Sequence, residues 1–81
     1  MKDSLLQEKV LQICREVNQD IPDDLEELLI DAGFVDSFGA FMILSSLEVE
    51  FDIEISPDDI KHDNFKNMSS IINLVKKYKE M

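Results

Sequence analysis

Apolar residues recur along much of the chain at spacings of three and four, which is typical of helices that bury one face. The first such pattern predicts a helix over residues 4–18, with Ser4 as its N-cap. Its buried face is predicted to consist of Leu6, Val10, Ile13 and Val17. The pattern stops at residues 20–24, where Pro22 lies among aspartates, so we expect a long loop with at most one helical turn. Gly33 is expected to end that turn with a positive φ.

A second helix is predicted to begin at Asp36 or Ser37 and to end at Phe51. One broad apolar arc of this helix is expected to face the core, and it contains Ala40, Phe41, Leu44, Leu47 and Phe51. Three further apolar residues at helical spacing lie away from that arc, namely Phe38, Met42 and Val49. Glu48 falls at the edge of the arc, where its methylene groups can pack while its carboxylate reaches solvent.

The last third of the chain predicts a short helix and a longer one. Residues 52–55 alternate polar and apolar, but the run is short and has no partner run, so we expect an extended connection. Ser56 and Pro57 suit the cap and the first position of a short helix that ends near His62. The last helix is expected after Asn67, and lysines in its final turn suit the helix dipole. Its buried face is predicted to consist of Met68, Ile71, Ile72, Val75 and Tyr78.

These elements together predict an all-α fold. We expect a small four-helix bundle of three main helices and one short helix, with a long first loop. The 81 residues suffice for one domain, expected to span residues 1–81. A core this small needs almost every apolar residue at helical spacing, so a deep substrate cleft is not expected.

The charge of the chain narrows the range of partners. Lys plus Arg number 8 and Asp plus Glu number 18, which gives a formal net charge of −10. Such a field repels nucleic acid phosphates and anionic lipids, and it favours basic proteins or cations. No run approaches the roughly 20 apolar residues that a membrane span needs, and no segment resembles a signal peptide. We therefore expect a cytoplasmic protein that acts as a monomer.

Signals for catalytic or metal chemistry are weak. Cys14 is the only cysteine, so an intramolecular disulfide is impossible, and we expect it to pack in the core. The acidic residues 52–63 place Pro57 where a calcium-binding loop requires glycine. One cysteine and one histidine do not suggest a zinc site, and His62 is expected at the surface. We therefore expect a protein that holds no metal and is not an enzyme.

The junction at Asp36 and Ser37 is the strongest candidate site. The first N–H groups of a helix lack intrahelical acceptors, and the helix dipole adds partial positive charge there. An oxygen held at this point can carry a phosphate ester that those N–H groups stabilise. Taken alone, an Asp-Ser pair before a helix indicates no more than a helix cap.

The sequence around this pair is more specific. Residues 33–60, GFVDSFGAFMILSSLEVEFDIEISPDDI, resemble the centre of the acyl carrier protein family. The resemblance continues over residues 62–78, HDNFKNMSSIINLVKKY, and is weakest over the first 30 residues. In that family the serine of an Asp-Ser-Leu or Asp-Ser-Phe motif carries 4′-phosphopantetheine. The resemblance therefore implies attachment of this arm to Ser37, next to Asp36.

The resemblance implies a carrier protein that performs no catalysis itself. A phosphopantetheinyl transferase would attach the arm from coenzyme A, and the thiol of the arm would hold an acyl group for partner enzymes. Many fatty acid carriers have acids just after the serine, where this chain has Gly39 and Met42. We therefore expect a specialised fatty acid or polyketide-type pathway. The DSFG motif also looks like that of D-alanyl carrier proteins, so an aminoacyl carrier is the alternative, and an unmodified acidic adaptor that binds a basic protein is a second alternative.

The outer face of the second helix is expected to bind the acyl- or aminoacyl-loading and transfer enzymes. We expect these enzymes to present basic or apolar docking surfaces. The candidate docking residues are Phe38, Met42 and Val49 for the apolar part and Glu48 and Glu50 for the acidic part. The alternative is that the apolar residues are single exposed side chains of an ordinary kind.

Overall fold

The computed structural model describes residues 2–80, and this part of the chain is helical without strands. Its elements in chain order are α1 (Lys2–Val17), α2 (Ser37–Phe51), a 3₁₀ turn (Pro57–Asp59), α3 (His62–Phe65) and α4 (Met68–Lys79). The expected four-helix bundle, with three main helices and one short helix, is confirmed. The long first loop spans residues 18–36 and separates α1 from α2.

The three long helices share one apolar core, and residues of both loops also contribute to it. Its fully buried members come from α1, the first loop, α2 and α4, and they are Val10, Cys14, Ile21, Leu29, Ile43, Leu47, Met68, Ile71 and Val75. The expected packing role of Cys14 is confirmed, because no part of its side chain is exposed. Burial raises the pKa of the Cys14 thiol to about 12, since the thiolate would be poorly solvated there.

The buried face of α2 differs from the predicted one at two positions. Phe41 was expected in the core, yet 62% of its surface is exposed, whereas Ile43 is only 1% exposed. Both residues are apolar and lie on opposite sides of the helix. Because α2 is apolar around most of its circumference, the sequence pattern does not define which side is buried. The other expected inner residues, Ala40, Leu44, Leu47 and Phe51, are buried or partly buried.

Two expected helix boundaries are also wrong. Ser4 was predicted as an N-cap, but α1 already begins at Lys2, because residues 2–4 contain no helix-breaking residue. The short helix expected from Pro57 to His62 is divided in two: the 3₁₀ turn ends at Asp59, and α3 begins at His62. The side chain of Asn64 donates to the carbonyl of Asp59 at 2.6 Å, which satisfies the backbone at this break.

The other predicted boundaries are confirmed. Gly33 has a φ of 87°, a conformation that glycine adopts without a steric penalty. Ser56 caps the 3₁₀ turn by accepting a hydrogen bond from the N–H of Asp58 at 3.3 Å. Asn67 caps α4 by accepting from the N–H of Ser70 at 2.8 Å.

The first loop is tied to the segment around α3 by backbone hydrogen bonds. The N–H of Leu29 donates to the carbonyl of Lys66 at 2.8 Å, and the N–H of Ser69 donates to the carbonyl of Leu25 at 3.0 Å. Leu29 is also buried in the core, so the loop has a defined path without regular secondary structure. These contacts bring the residues before α2 next to α3.

The connection after α2 is held by side chains. Glu48 accepts a hydrogen bond from the N–H of Ile55 at 2.9 Å, and the Tyr78 hydroxyl accepts from the N–H of Ser56 at 2.9 Å. The same hydroxyl donates to Asp59, which Lys77 also contacts at 3.0 Å. The hydrogen bonds from Tyr78 and then Lys77 lower the pKa of the Asp59 carboxyl. This network fixes the 3₁₀ turn against α4.

Candidate functional site

Ser37 is the first residue of α2, and it is exposed to solvent. The preceding Asp36 is the N-cap: its carboxylate accepts a hydrogen bond from the N–H of Gly39 at 2.7 Å. The carbonyl of Asp36 accepts the N–H of Ala40 at 2.9 Å. The capping role that an Asp-Ser pair suggests is therefore filled by Asp36, and the hydroxyl of Ser37 is not needed for it.

Buried residues on both sides fix the position of Ser37. Val35 is 4% exposed, and its N–H donates to the carbonyl of Leu29 at 2.9 Å. The side chain of Asn18 donates to the carbonyl of Phe34 at 3.0 Å, which ties the end of the loop to the end of α1. The chain thus leaves the core at Val35 and returns to it at Gly39, so Ser37 projects from a short outward segment.

Gly39 permits the close approach of α1 to the start of α2. A Cβ atom at this position would lie 2.9 Å from Cγ1 of Val17 and 3.3 Å from a carboxylate oxygen of Asp36. Real side chains do not tolerate the first of these distances without movement of a neighbour. A glycine two residues after the serine therefore has a packing reason in this structure.

A groove of about 350 Å³ lies beside Ser37. Its apolar lining residues are Ile30, Ala40, Phe41, Leu44, Ile60 and Phe65. Ser37 itself also lines the groove, together with Lys61, which is cationic, and His62, which can become so. Phe41 and Ile60 are 62% and 45% exposed, so the groove is open to solvent along apolar side chains. This groove could not be predicted from the sequence, because its walls come from the first loop, α2 and the segment around α3.

His62 lies at the surface, as expected, and it also lines the groove. Its Nε2 is 3.0 Å from a carboxylate oxygen of Asp31, and its Nδ1 is 3.8 Å from Asp63. Half of its side chain remains exposed. The contact with Asp31 links the first loop to α3 next to the groove, which no spacing in the sequence could have indicated.

Four of the five expected docking residues on α2 are exposed, and the fifth, Glu48, is half-buried. The apolar ones are exposed to 71% at Phe38, 43% at Met42 and 84% at Val49. The two acidic ones also make internal contacts: Glu48 accepts from the backbone of Ile55, and Glu50 pairs with Lys9 at 3.2 Å. Phe41 is also exposed on this helix, although it was predicted to be buried. The signal for this in the sequence was that apolar residues occur on two faces of α2.

The remaining chemistry of the described residues is limited. Within residues 2–80, no three or more His, Cys, Asp or Glu side chains are grouped so that they could share a metal ion. In the same part of the chain, no helix combines the length and the hydropathy that crossing a bilayer requires. The exposed serine at the start of α2 thus remains the principal candidate for chemistry.

Comparison with known proteins gives a consistent result. A family model described as "Phosphopantetheine attachment site" matches residues 4–72. The D-alanyl carrier protein of Streptococcus mutans is 32% identical over 68 residues, which cover 83% of this chain and 86% of that protein. Those of Streptococcus sanguinis and Streptococcus thermophilus are each 31% identical over 65 residues, which cover 79% of this chain and 82% of the relative.

Proposed function

The chain belongs to the phosphopantetheine attachment-site family of carrier proteins, and from this premise we propose that it is an aminoacyl carrier of the D-alanyl type. Members of this family carry covalently attached 4′-phosphopantetheine. We propose that the arm is attached to Ser37 and that the carrier presents its cargo to separate loading and transfer enzymes.

The placement of Ser37 is the observation that carries this proposal. Its exposed hydroxyl lies at the N-terminus of α2, and the first turn of that helix contains no acidic side chain. N–H groups and the helix dipole at this point favour a phosphate ester. The residues present therefore fit the arm, and the adjacent groove offers apolar surface beside its attachment point.

Attachment requires only that the hydroxyl be reachable by a second protein. In the proposed reaction the Ser37 oxygen forms a bond to the phosphorus atom of the phosphopantetheinyl half of coenzyme A. The pyrophosphate bond breaks, adenosine 3′,5′-bisphosphate leaves, and the hydroxyl proton passes to a base of the transferase. The terminal thiol of the arm then supplies the group that binds the cargo as a thioester.

The hypothesis of an aminoacyl carrier replaces the hypothesis of a fatty acid or polyketide carrier, which we favoured from the sequence. The curated relatives named above are D-alanyl carrier proteins, and they give no support to a fatty acid pathway. The DSFG motif, whose last residue is Gly39, agrees with this alternative. Because Gly39 packs against Val17, an acidic side chain at that position would not fit without movement.

We propose that the outer face of α2 binds the transferase and the loading enzyme. Phe38, Met42 and Val49 supply exposed apolar surface, and Glu48 and Glu50 supply negative charge near its far end. Such a mixed surface fits a partner with an apolar centre and basic rim. We further propose that these encounters take place in the cytoplasm and involve one copy of the chain.

Intact-mass measurement after incubation with coenzyme A and a phosphopantetheinyl transferase tests the attachment. We expect the wild-type chain to gain the mass of one phosphopantetheinyl group. Ser37→Ala should gain none, whereas Ser45→Ala, at an exposed serine on the same helix, should gain one. A wild-type chain that several transferases leave unmodified would point to the unmodified-adaptor alternative.

A second measurement tests the cargo. The modified protein is incubated with ATP, D-alanine and the enzyme that loads a streptococcal D-alanyl carrier protein, with L-alanine in a parallel sample. We expect one alanyl group that hydroxylamine removes, formed faster with D-alanine. If a fatty acid ligase loads fatty acyl groups and no alanyl group is loaded, the result would support the hypothesis of a fatty acid carrier instead.

A further inference from the structure

The groove beside Ser37 has two chemically different parts. Its floor is apolar and formed by both loop and helix residues, with Phe41 and Ile60 partly open to solvent. Besides Ser37, its remaining lining is basic and comes from two consecutive residues, Lys61 and His62. In a chain with a net charge of −10, these two basic side chains line the same groove as the candidate attachment point.

The arm that we propose on Ser37 likewise has a charged part and an apolar part. Its first group is a phosphodiester with one negative charge, and a methylene group and a carbon bearing two methyl groups follow. The phosphodiester must lie within one bond of the Ser37 oxygen, and Ser37 itself lines the groove. A basic residue in that groove is therefore in position to face the phosphate, while the apolar floor faces the methyl groups.

We propose that Lys61 and His62 are positioning residues that hold the phosphodiester of the arm against the groove, and this inference rests on the proposed attachment to Ser37. Their contact with the phosphate would direct the arm along Ile60 and Phe41 instead of leaving it free in solvent. A pair of cations near a phosphate ester forms charge-assisted hydrogen bonds, which are stronger than neutral ones.

The charges around His62 permit this role. Its Nε2 contacts Asp31 of the first loop at 3.0 Å, and its Nδ1 is 3.8 Å from Asp63 of its own helix. When the imidazole is protonated, both of its nitrogens are hydrogen-bond donors. Because half of the His62 side chain is exposed, a phosphate can approach it without displacing a buried group. The phosphate would share His62 with Asp31 or replace that contact.

Phosphorus NMR of the modified protein tests the inference. The arm contributes one phosphorus atom and the chain one histidine, so each signal has a single assignment. A phosphodiester keeps one negative charge from about pH 5 to 8, the range in which histidine changes charge. We expect the phosphorus resonance to shift with pH and to follow the imidazole proton signals of His62 with a shared midpoint. The imidazole signals should also differ between unmodified and modified protein.

Matched variants distinguish a direct contact with the phosphate from a general effect of the protein's charge. His62→Gln should be modified to completion, yet its phosphorus resonance should no longer change over this range. Lys61→Gln should displace the resonance at every pH while the titration persists. Lys79→Gln makes the same charge change at the far end of α4, and it should leave the resonance in place.

The outcomes distinguish this inference from the proposed function. A modified wild-type protein whose phosphorus signal is insensitive to pH, while His62 titrates, would overturn the inference and leave the attachment to Ser37 intact. A chain that transferases do not modify would overturn both. Equal phosphorus shifts in Lys61→Gln and Lys79→Gln would exclude a local role for Lys61.

Discussion

Helices α2 and α4 have similar lengths and pack into the same core, but they present different faces to solvent. The outward residues of α4 include Asn73, Lys77 and Lys79, so this helix is apolar on one side and polar on the other. The outward residues of α2 include Phe38, Phe41, Met42 and Val49, which are all at least 43% exposed.

This difference shows that packing in the core alone does not explain the sequence of α2. A helix that is apolar all around is usually buried on all sides, yet α2 has core contacts on one side only. The outer apolar residues follow Ser37 directly along the helix. They therefore lie where a protein that acted on that serine would approach, whereas α4 has a surface typical of a helix that serves only the fold.

The largest expected effect separates the two faces of α2. Leu47→Ala removes a fully buried side chain and should lower the free energy of unfolding by about 2–5 kcal/mol. Val49→Ala changes an 84% exposed side chain and should change it by no more than about 0.5 kcal/mol. Urea unfolding followed by circular dichroism measures both. Equal losses would contradict the division of α2 into inner and outer faces.

The next effect concerns the point where α2 meets α1. Replacing glycine by alanine within a helix normally stabilises it by about 1 kcal/mol. In Gly39→Ala the new Cβ would lie 2.9 Å from Val17, so we expect a loss of about 1–3 kcal/mol in urea unfolding. The Val17→Ala background removes the obstructing methyl groups, and there the same change should cost less. An additive double mutant would argue against a direct contact.

A smaller effect is expected on binding, and it distinguishes the outer face of α2 from that of α4. Met42→Glu places a charge in the apolar stripe and should weaken binding of the loading enzyme by about tenfold, or about 1.4 kcal/mol. Asn73→Glu makes the corresponding change on the outer side of α4 and should leave affinity unchanged. Calorimetric titration measures both affinities, and unfolding midpoints control for stability. Equal affinities of wild type and Met42→Glu would remove α2 as the docking face.

The smallest effect tests the polar end of α4. The hydrogen bond from Tyr78 lowers the pKa of Asp59, so the ionised carboxylate is favoured in the folded state. The stability that this provides is present above the unfolded value of about pH 4 and is lost as pH falls through the lower folded pKa. The difference in unfolding free energy between wild type and Tyr78→Phe should therefore shrink at acidic pH. A difference that does not change with pH would exclude this linkage.

Local signals in the sequence were sufficient to predict most of the fold. Gly33, Asn67 and the Ser56–Pro57 pair have conformational preferences that act over a few residues, so they identify helix ends without knowledge of the rest. Ser37 became a candidate through the family resemblance, which could be recognised because the motif and the following helix are contiguous in the sequence. The phase of α2 could not be predicted, since a helix with apolar residues on two faces is compatible with burial of either Phe41 or Ile43.

The groove was beyond prediction because it depends on contacts between distant residues. His62 meets Asp31 across 31 positions, and the first loop reaches this place through the backbone bond from Leu29 to Lys66. The first loop has no regular apolar period, so its path is set by these contacts and not by local preference. The candidate attachment point Ser37 could therefore be named from the sequence, but the surface next to it could not.

The burial of Cys14 has a practical consequence for experiments on the modified protein. A thiol with a pKa of about 12 and no exposed surface reacts slowly with maleimides at neutral pH. The sulfhydryl at the tip of the arm would then be the single fast-reacting one, although the chain retains its natural cysteine. A fluorescent dye could thus be joined to the arm alone, and its emission would report the arm's movements without any engineering of the polypeptide.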